Sequence, residues 1–392
     1  MSTTRLTPLE LAAGFPLPDD VAAPLPPSVE RVEPLAAFQA VVRAALERPP
    51  CLVSFSGGRD SSAVLAVATD VARRDGLPLP IPATALFPGS AESDESDWQE
   101  QVVRGLGLDD WLRVDVDDGF DCVGPVARRI LRRHGVLWPP NAHFHEPLLA
   151  GAAGGSLLSG IGGDEVFGRS QWTRARAVLA GRARPRPRDA LRVAVALAPP
   201  RGRELALRRV EPPELPWLRP AALNLVIEQS RAEAAREPFS WRRRFGWIAS
   251  LRYIRLGTES LELLARAHDV RLAHPFLDAG FLDGVAALPR RSRFHDRASG
   301  LERIFGRELP AARRETKARF DSVLWGSESQ ALAAGWEGEG VDPELVDFEA
   351  LRARWAAGAK GPHTLLQWIW LARLGSSSGG GDALDQLDRA VQ

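Results

Sequence analysis

Two glycine-rich turns hold the residue types best suited to chemistry. The first is Ser54-Phe-Ser-Gly-Gly-Arg-Asp-Ser-Ser62, and the second is Leu158-Ser-Gly-Ile-Gly-Gly-Asp-Glu-Val-Phe-Gly168. Each follows a short apolar run. Backbone N–H groups at a helix N-terminus form an anion site where glycines permit close approach. Gly57 and Gly58 supply that freedom, and the hydroxyls of Ser56, Ser61 and Ser62 add donors. Neither the Gly-Lys-Ser/Thr ending of a Walker A loop nor G-x-G-x-x-G is present. An aspartate inside a phosphate turn repels phosphate unless a divalent cation lies between them, so Asp60 implies Mg²⁺. The second turn places a further acidic pair, Asp164 and Glu165, behind glycines. At the carboxyl ends of parallel strands, both turns would face one crevice. Asp60 and Asp164 would then share one Mg²⁺ on a pyrophosphate.

The flanking patterns supply such strands. Apolar runs at 52–55, 81–87, 111–116 and 156–159 read as strands, and 35–47, 61–74, 95–106 and 126–134 read as helices. This alternation predicts an α/β fold, a parallel sheet with helices on both faces. After about residue 170 the strand signal fades. Helical patterns follow at 218–237, 242–256, 260–268, 301–309, 348–357 and 364–374, so a mainly helical C-terminal part is expected. The predicted divisions are an arm and helix (1–49), a nucleotide-binding core (50–170), a helical part (171–374) and a flexible Gly/Ser tail (375–392). Residues 1–35, rich in proline and acidic residues, read as a poorly ordered arm. There is no internal repeat.

The chain has 392 residues, with 50 basic and 50 acidic side chains. Zero net charge removes the simplest case for a nucleic-acid partner. No apolar run approaches the ~20 residues of a membrane span, and no secretory leader is visible. With two cysteines, Cys51 and Cys122, which read as buried small apolar residues, a reducing cytoplasm is expected. His134, His143 and His145 lack partners at metal-ligand spacing. Trp355, Trp368 and Trp370 are expected to pack a helical layer, with a stacking surface for substrate as the alternative. The charge is unevenly spread. Residues 89–121 carry eleven acidic side chains against two arginines, and residues 169–209 carry twelve arginines against Asp189 and Glu204. The basic segment reads first as solvated surface. The alternative is a seat for an anionic partner, a phosphate or an acidic peptide. Its stretch 182–188, with two prolines, is expected to be a mobile loop.

Taken together the motifs resemble a known family. Ser56-Gly-Gly-Arg-Asp-Ser61 resembles the pyrophosphate loop (PP-loop) of the N-type ATP pyrophosphatases, which have the adenine nucleotide alpha hydrolase-like fold. Ser159-Gly-Ile-Gly-Gly-Asp-Glu-Val-Phe-Gly168 resembles the second signature of the asparagine synthetase family's synthetase domain. Three further segments follow that family's order. They are Glu92-Ser-Asp-Glu-Ser-Asp97, Arg271-Leu-Ala-His-Pro-Phe-Leu-Asp278 (the family's V-P-F-L-D), and Leu309-Pro310 with Arg314 and Lys317-Ala-Arg-Phe320. The resemblance implies ATP and Mg²⁺ as cofactors and AMP-forming amide synthesis: carboxylate adenylation, then attack by an amine. It implies that Ser56, Gly57, Gly58, Asp60, Ser61 and Ser62 hold pyrophosphate. Val53, Ser54, Phe87, Ser159 and Gly160 would line the adenine and ribose pocket. Lys317, one of only two lysines, would stabilise transition-state charge.

Two departures shape the expected reaction. Ile161 stands where several members carry a glutamate or tyrosine assigned to proton removal from the amine. An isoleucine cannot do this, so Glu165 or another group must. Only about 50 residues precede the first turn, and Ser2 replaces the nucleophilic cysteine of the family's glutaminase domain. A synthetase without its own glutaminase is therefore expected, acting on a small-molecule or peptide carboxylate and amine. Some relatives close β-lactams or the macrolactam ring of lasso peptides. A separate amidotransferase or a peptide-delivery protein is the implied partner. Two competing readings are a tRNA-modifying PP-loop pyrophosphatase and an inactive ATP-binding partner subunit.

Overall fold

Alternate residues of the central strands enter different cores, which makes a sheet covered on both faces. The computed structural model describes residues 5–19, 33–87, 96–168, 170–207, 213–294, 296–306 and 321–377. Five strands form one sheet: β1 (Cys51–Ser54), β2 (Ile81–Leu86), β3 (Leu112–Asp115), β4 (Ser156–Leu158) and β5 (Arg271–Ala273). Their order is β3-β2-β1-β4-β5, and every neighbouring pair is parallel. Leu52 is in register with Leu157, and Val53 with Leu158. Leu52 and Leu157 enter a core with Leu149 and Leu264, from the helices Glu146–Gly151 and Arg252–Arg266. Cys51, Val53 and Leu158 enter another with Phe38, Val64 and Leu65, from the helices Pro34–Leu46 and Arg59–Asp75. The predicted α/β sheet with its helices is therefore present, followed by a mainly helical C-terminal part. Strand order reverses direction at β1, so β1 and β4 flank the switch point where such sheets bind ligands.

The helix after β1 is set by its ends. Gly58 is its N-cap, Asp60 lies in its first turn, and Arg73 and Arg74 lie in its last. Those charges complement the helix dipole, and Gly76, at φ 66°, ends it in the left-handed conformation.

Four local readings change. The fifth strand, β5, lies where no strand is expected after residue 170. Three residues, the first an exposed arginine, are too short for a readable alternation. The helical patterns at 242–256 and 260–268 are instead two helices, Trp241–Ser250 and Arg252–Arg266, divided at Leu251 by extended backbone. Part of the supposed N-terminal arm is folded: Pro8–Ala13 is a helix with a Thr7–Glu10 capping box. Glu10 is 2% exposed and pairs with Arg252 at 2.7 Å, which offsets the cost of burying its charge. The stretch 182–188 is irregular over 182–186, as expected, but its last two residues are helical. Pro187 and Arg188 open the helix Pro187–Leu197, where a proline in the first turn loses no hydrogen bond.

The cysteines are free and buried, and burial pushes the Cys51 thiol up to about 11. Trp217, Trp336, Trp355 and Trp370 pack a third core with the helix Pro8–Ala13, and Trp368 donates to Gly340 O. That core joins the first and last described helices, Pro8–Ala13 and His363–Ser377. No described helix is long and apolar enough to cross a membrane.

Candidate active site

The first turn is braced by its own serines. Ser61 Oγ donates to Gly58 O at 3.1 Å and accepts from Ser56 N–H at 3.3 Å. Ser56 Oγ lies 3.2 Å from Ser61 Oγ and accepts from Gly58 N–H at 3.3 Å. Gly57 takes φ 78°, a conformation that disfavours any side chain. Gln99, from the helix Ser96–Gly105, donates to Ser56 O at 3.1 Å and ties that helix to the turn. Ser61 and Ser62 are buried, at 5% and 1% exposed, so Ser61 shapes the turn from within. Helix-start N–H groups, free of intrahelical partners, are what such a turn offers an anion.

The second turn lies against the first because its glycines lack side chains. A Cβ on Gly160 would sit 3.0 Å from Ser61 N, and one on Gly163 would sit 2.4 Å from Asp60 Cγ. Asp164 and Glu165 open the short helix Gly163–Phe167. Asp60 and Asp164 thus come together although about a hundred residues separate them. Arg297 joins them: its Nη2 is 3.2 Å from Asp60 Oδ2 and also contacts Asp164 Oδ1. Val53 and Ser54 end β1, Phe87 follows β2 and packs on Phe144, and Ser159 and Gly160 follow β4. All these residues lie at the carboxyl ends of neighbouring strands.

Three more side chains complete the site. Tyr253 Oη donates to Glu165 Oε1 at 3.0 Å. Burial and the Glu165 carboxylate push the Tyr253 phenol upward, so it stays protonated and a donor. Arg244, 6% exposed, donates to Glu165 O at 2.6 Å and Val166 O at 3.2 Å, fixing the short helix from behind. Ser159 Oγ lies 2.6 Å from His274 Nδ1, which follows β5.

Sequence reasoning passed over Arg297, Tyr253, Arg244 and His274 as site residues, although two left a signal. Arg297 is a basic residue in a helix's first turn, against the dipole, which calls for an acidic neighbour. Tyr253 is the chain's only tyrosine. Lys317 and the L-P…K…F segment lie outside the described residues, as does the 92–95 part of the acidic segment.

The carboxylate pair suits a divalent cation. Two aspartates from separate turns already converge on one positive group, the Arg297 guanidinium, and hard oxygen donors of this kind are what Mg²⁺ takes.

Burial holds His274 and His143 down to about 4, against about 6.5 when unfolded. His143 Nε2 is bonded to Phe120 O at 2.8 Å. Both stay neutral in the fold and gain protons on unfolding below pH 6.5. Their stabilisation is whole above that pH and is lost as pH falls towards 4, by up to about 2.7 kcal/mol per unit for the pair. Burial also holds His145 and His134 down, so melting temperature is expected to drop between pH 6.5 and 5, with His143→Gln removing only one histidine's share of the slope. A flat profile there would count against this account.

The asparagine synthase family model matches residues 36–321, most of the chain, and spans both turns. No curated protein matches the chain.

Proposed function

The chain belongs to the asparagine synthase family of ATP-dependent amide-forming ligases, and on that premise we propose that it adenylates a carboxylate and passes the acyl group to an amine. The observation that carries this reading is the convergence of Asp60 and Asp164 on one cationic group at the switch point. In the first step a substrate carboxylate oxygen attacks the α-phosphorus of ATP. An acyl-adenylate forms and pyrophosphate leaves. The turn from Ser56 to Ser62 holds the departing pyrophosphate with its backbone N–H groups. Asp60 and Asp164 would hold Mg²⁺, which when bound would supply positive charge against the leaving group. Val53, Ser54, Phe87, Ser159 and Gly160 line the adenine and ribose, and Lys317 stabilises charge on the reacting phosphoryl or acyl group. In the second step the amine nitrogen attacks the acyl carbon, AMP leaves, and Glu165 takes the amine proton.

In this reading the carboxylate and amine belong to a small molecule or a peptide in the cytoplasm. Both can lie on one molecule, which closes a macrolactam. A separate amidotransferase delivering ammonia is the other source of nitrogen. Protein incubated with Mg²⁺-ATP and a panel of carboxylates is expected to release AMP and pyrophosphate in equal amounts. ADP and phosphate as products would overturn the mechanism. Dependence of amide yield on added ammonium separates ammonia transfer from use of a substrate's own amine.

A further inference from the structure

The arginines of the 169–209 segment are only partly spent on the fold. Arg174 and Arg192 pair with the buried Asp189 at 2.6 and 3.2 Å. Arg203 donates to Ala196 O and Glu237 O. Beyond these lies a cavity of about 490 Å³, reached past the C-terminal end of the helix Gly163–Phe167. Six arginines line it, Arg176 and Arg182 from this segment and Arg242, Arg244, Arg290 and Arg293 from beyond it. Arg176 donates to Phe239 O and Pro238 O, Arg182 to Arg290 O and Arg293 to Leu288 O, and Arg244 lies 3.8 Å from the buried Glu237 carboxylate. None of its described lining residues is acidic, and neither Asp60, Asp164 nor the first turn reaches it. Among the described residues, the side chains of Arg242 and Arg290 make no hydrogen bond or ion pair. The remaining wall is largely aromatic, with Trp241, Phe167 and Phe294, and the Arg293 guanidinium lies 5.6 Å over the Trp241 ring.

Like charges gathered in a concave, partly dry space repel one another. Burial, then Arg244, bring Arg176 down to about 10, against a partial offset from Glu237, and Arg293 adds to the lowering. An anion entering the cavity relieves this repulsion and gains charge-assisted hydrogen bonds. The volume is that of a small-molecule site, and the aromatic wall suits an apolar body.

We propose that this cavity is a second ligand site, separate from the nucleotide crevice, for an organic phosphate or carboxylate with an apolar body. It is independent of the ligase reading, because binding here needs no ATP. It also touches the second turn. Arg244 lines the cavity and donates to the backbone at Glu165 and Val166, so the ligand bears on the helix that carries Asp164.

Isothermal titration of the full chain without ATP tests the site, with phenyl phosphate, benzoate and inorganic phosphate as probes. Phenyl phosphate or benzoate is expected to bind in the millimolar range or tighter, and more weakly as salt rises. The tighter of the two assigns the anionic group. Arg293→Gln and the exposed Arg242→Gln should each weaken binding about tenfold, with Arg293→Lys recovering part of the loss. If Arg293→Gln does not fold, Arg242→Gln still decides. Three results would overturn the site: no probe binding at millimolar concentration, unchanged binding by the folded variants, or inorganic phosphate binding as tightly as the aromatic probes.

Discussion

Asp164→Asn is expected to cut pyrophosphate release by about 10²–10³-fold, the range for losing one preorganised electrostatic group at a reacting centre. The substitution keeps size and shape but removes the charge. Asp164 is half-exposed and joins Arg297, which also contacts Asp60 3.2 Å away. Because Asp164 is exposed, the change should move the melting temperature by only a few degrees, and the loss would then be catalytic. Asp60→Asn should lose a similar factor. The double variant should be little worse than either, because groups that act as one unit are not additive. Activity within tenfold of the parent, measured at saturating Mg²⁺-ATP, would remove the pair from the reaction. A loss with the two factors fully multiplied would mean that the aspartates act separately.

The pairing of those aspartates shows what the sequence made legible. Strand runs and glycine turns are local patterns: 52–55 reads as a buried strand, and 156–159 as a strand, because each has a short apolar run just before a glycine turn. Placing both turns at strand ends was then enough to bring Asp60 and Asp164 together. The exposed opening of β5 hid it, since Arg271–Ala273 pairs with β4 but has no apolar run of its own. Glu10 was hidden for another reason. Its burial depends on Arg252, 242 positions away, and nothing near residue 10 announces that partner. Arg297 and Tyr253 also act through contacts more than 80 residues away in the chain. Local pattern finds the backbone turns, whereas side chains contributed from distant helices appear only once the fold brings them near. The arginine segment is the intermediate case. Its charge was visible as a count, but the split between arginines that pair with Asp189 and those that face the cavity depends on the packing of helices.

Glu165→Gln should separate the two half-reactions. Adenylation needs no proton from the amine, so ATP–pyrophosphate exchange driven by the substrate carboxylate is expected to stay within a few-fold of the parent. Amide formation should fall by about 10²–10⁴-fold, the usual contribution of a positioned general base. The geometry favours Glu165 for this task. It is next to Asp164 on the same short helix, its backbone is held by Arg244 at 2.6 Å, and Tyr253 fixes one of its carboxylate oxygens at 3.0 Å. Ile161 cannot supply a base at its position. On that proposal Tyr253 is a positioning residue. Its phenol stays protonated because burial and the adjacent carboxylate push it upward, so it donates to Glu165 throughout the working pH range. Tyr253→Phe is therefore expected to cost about tenfold in amide formation, with exchange intact and no alkaline limb lost below pH 9, since the phenol does not titrate there. Equal loss of exchange and amide formation in Glu165→Gln would move the residue from proton transfer to the shape of the second turn. Unchanged amide formation would assign the proton to another group.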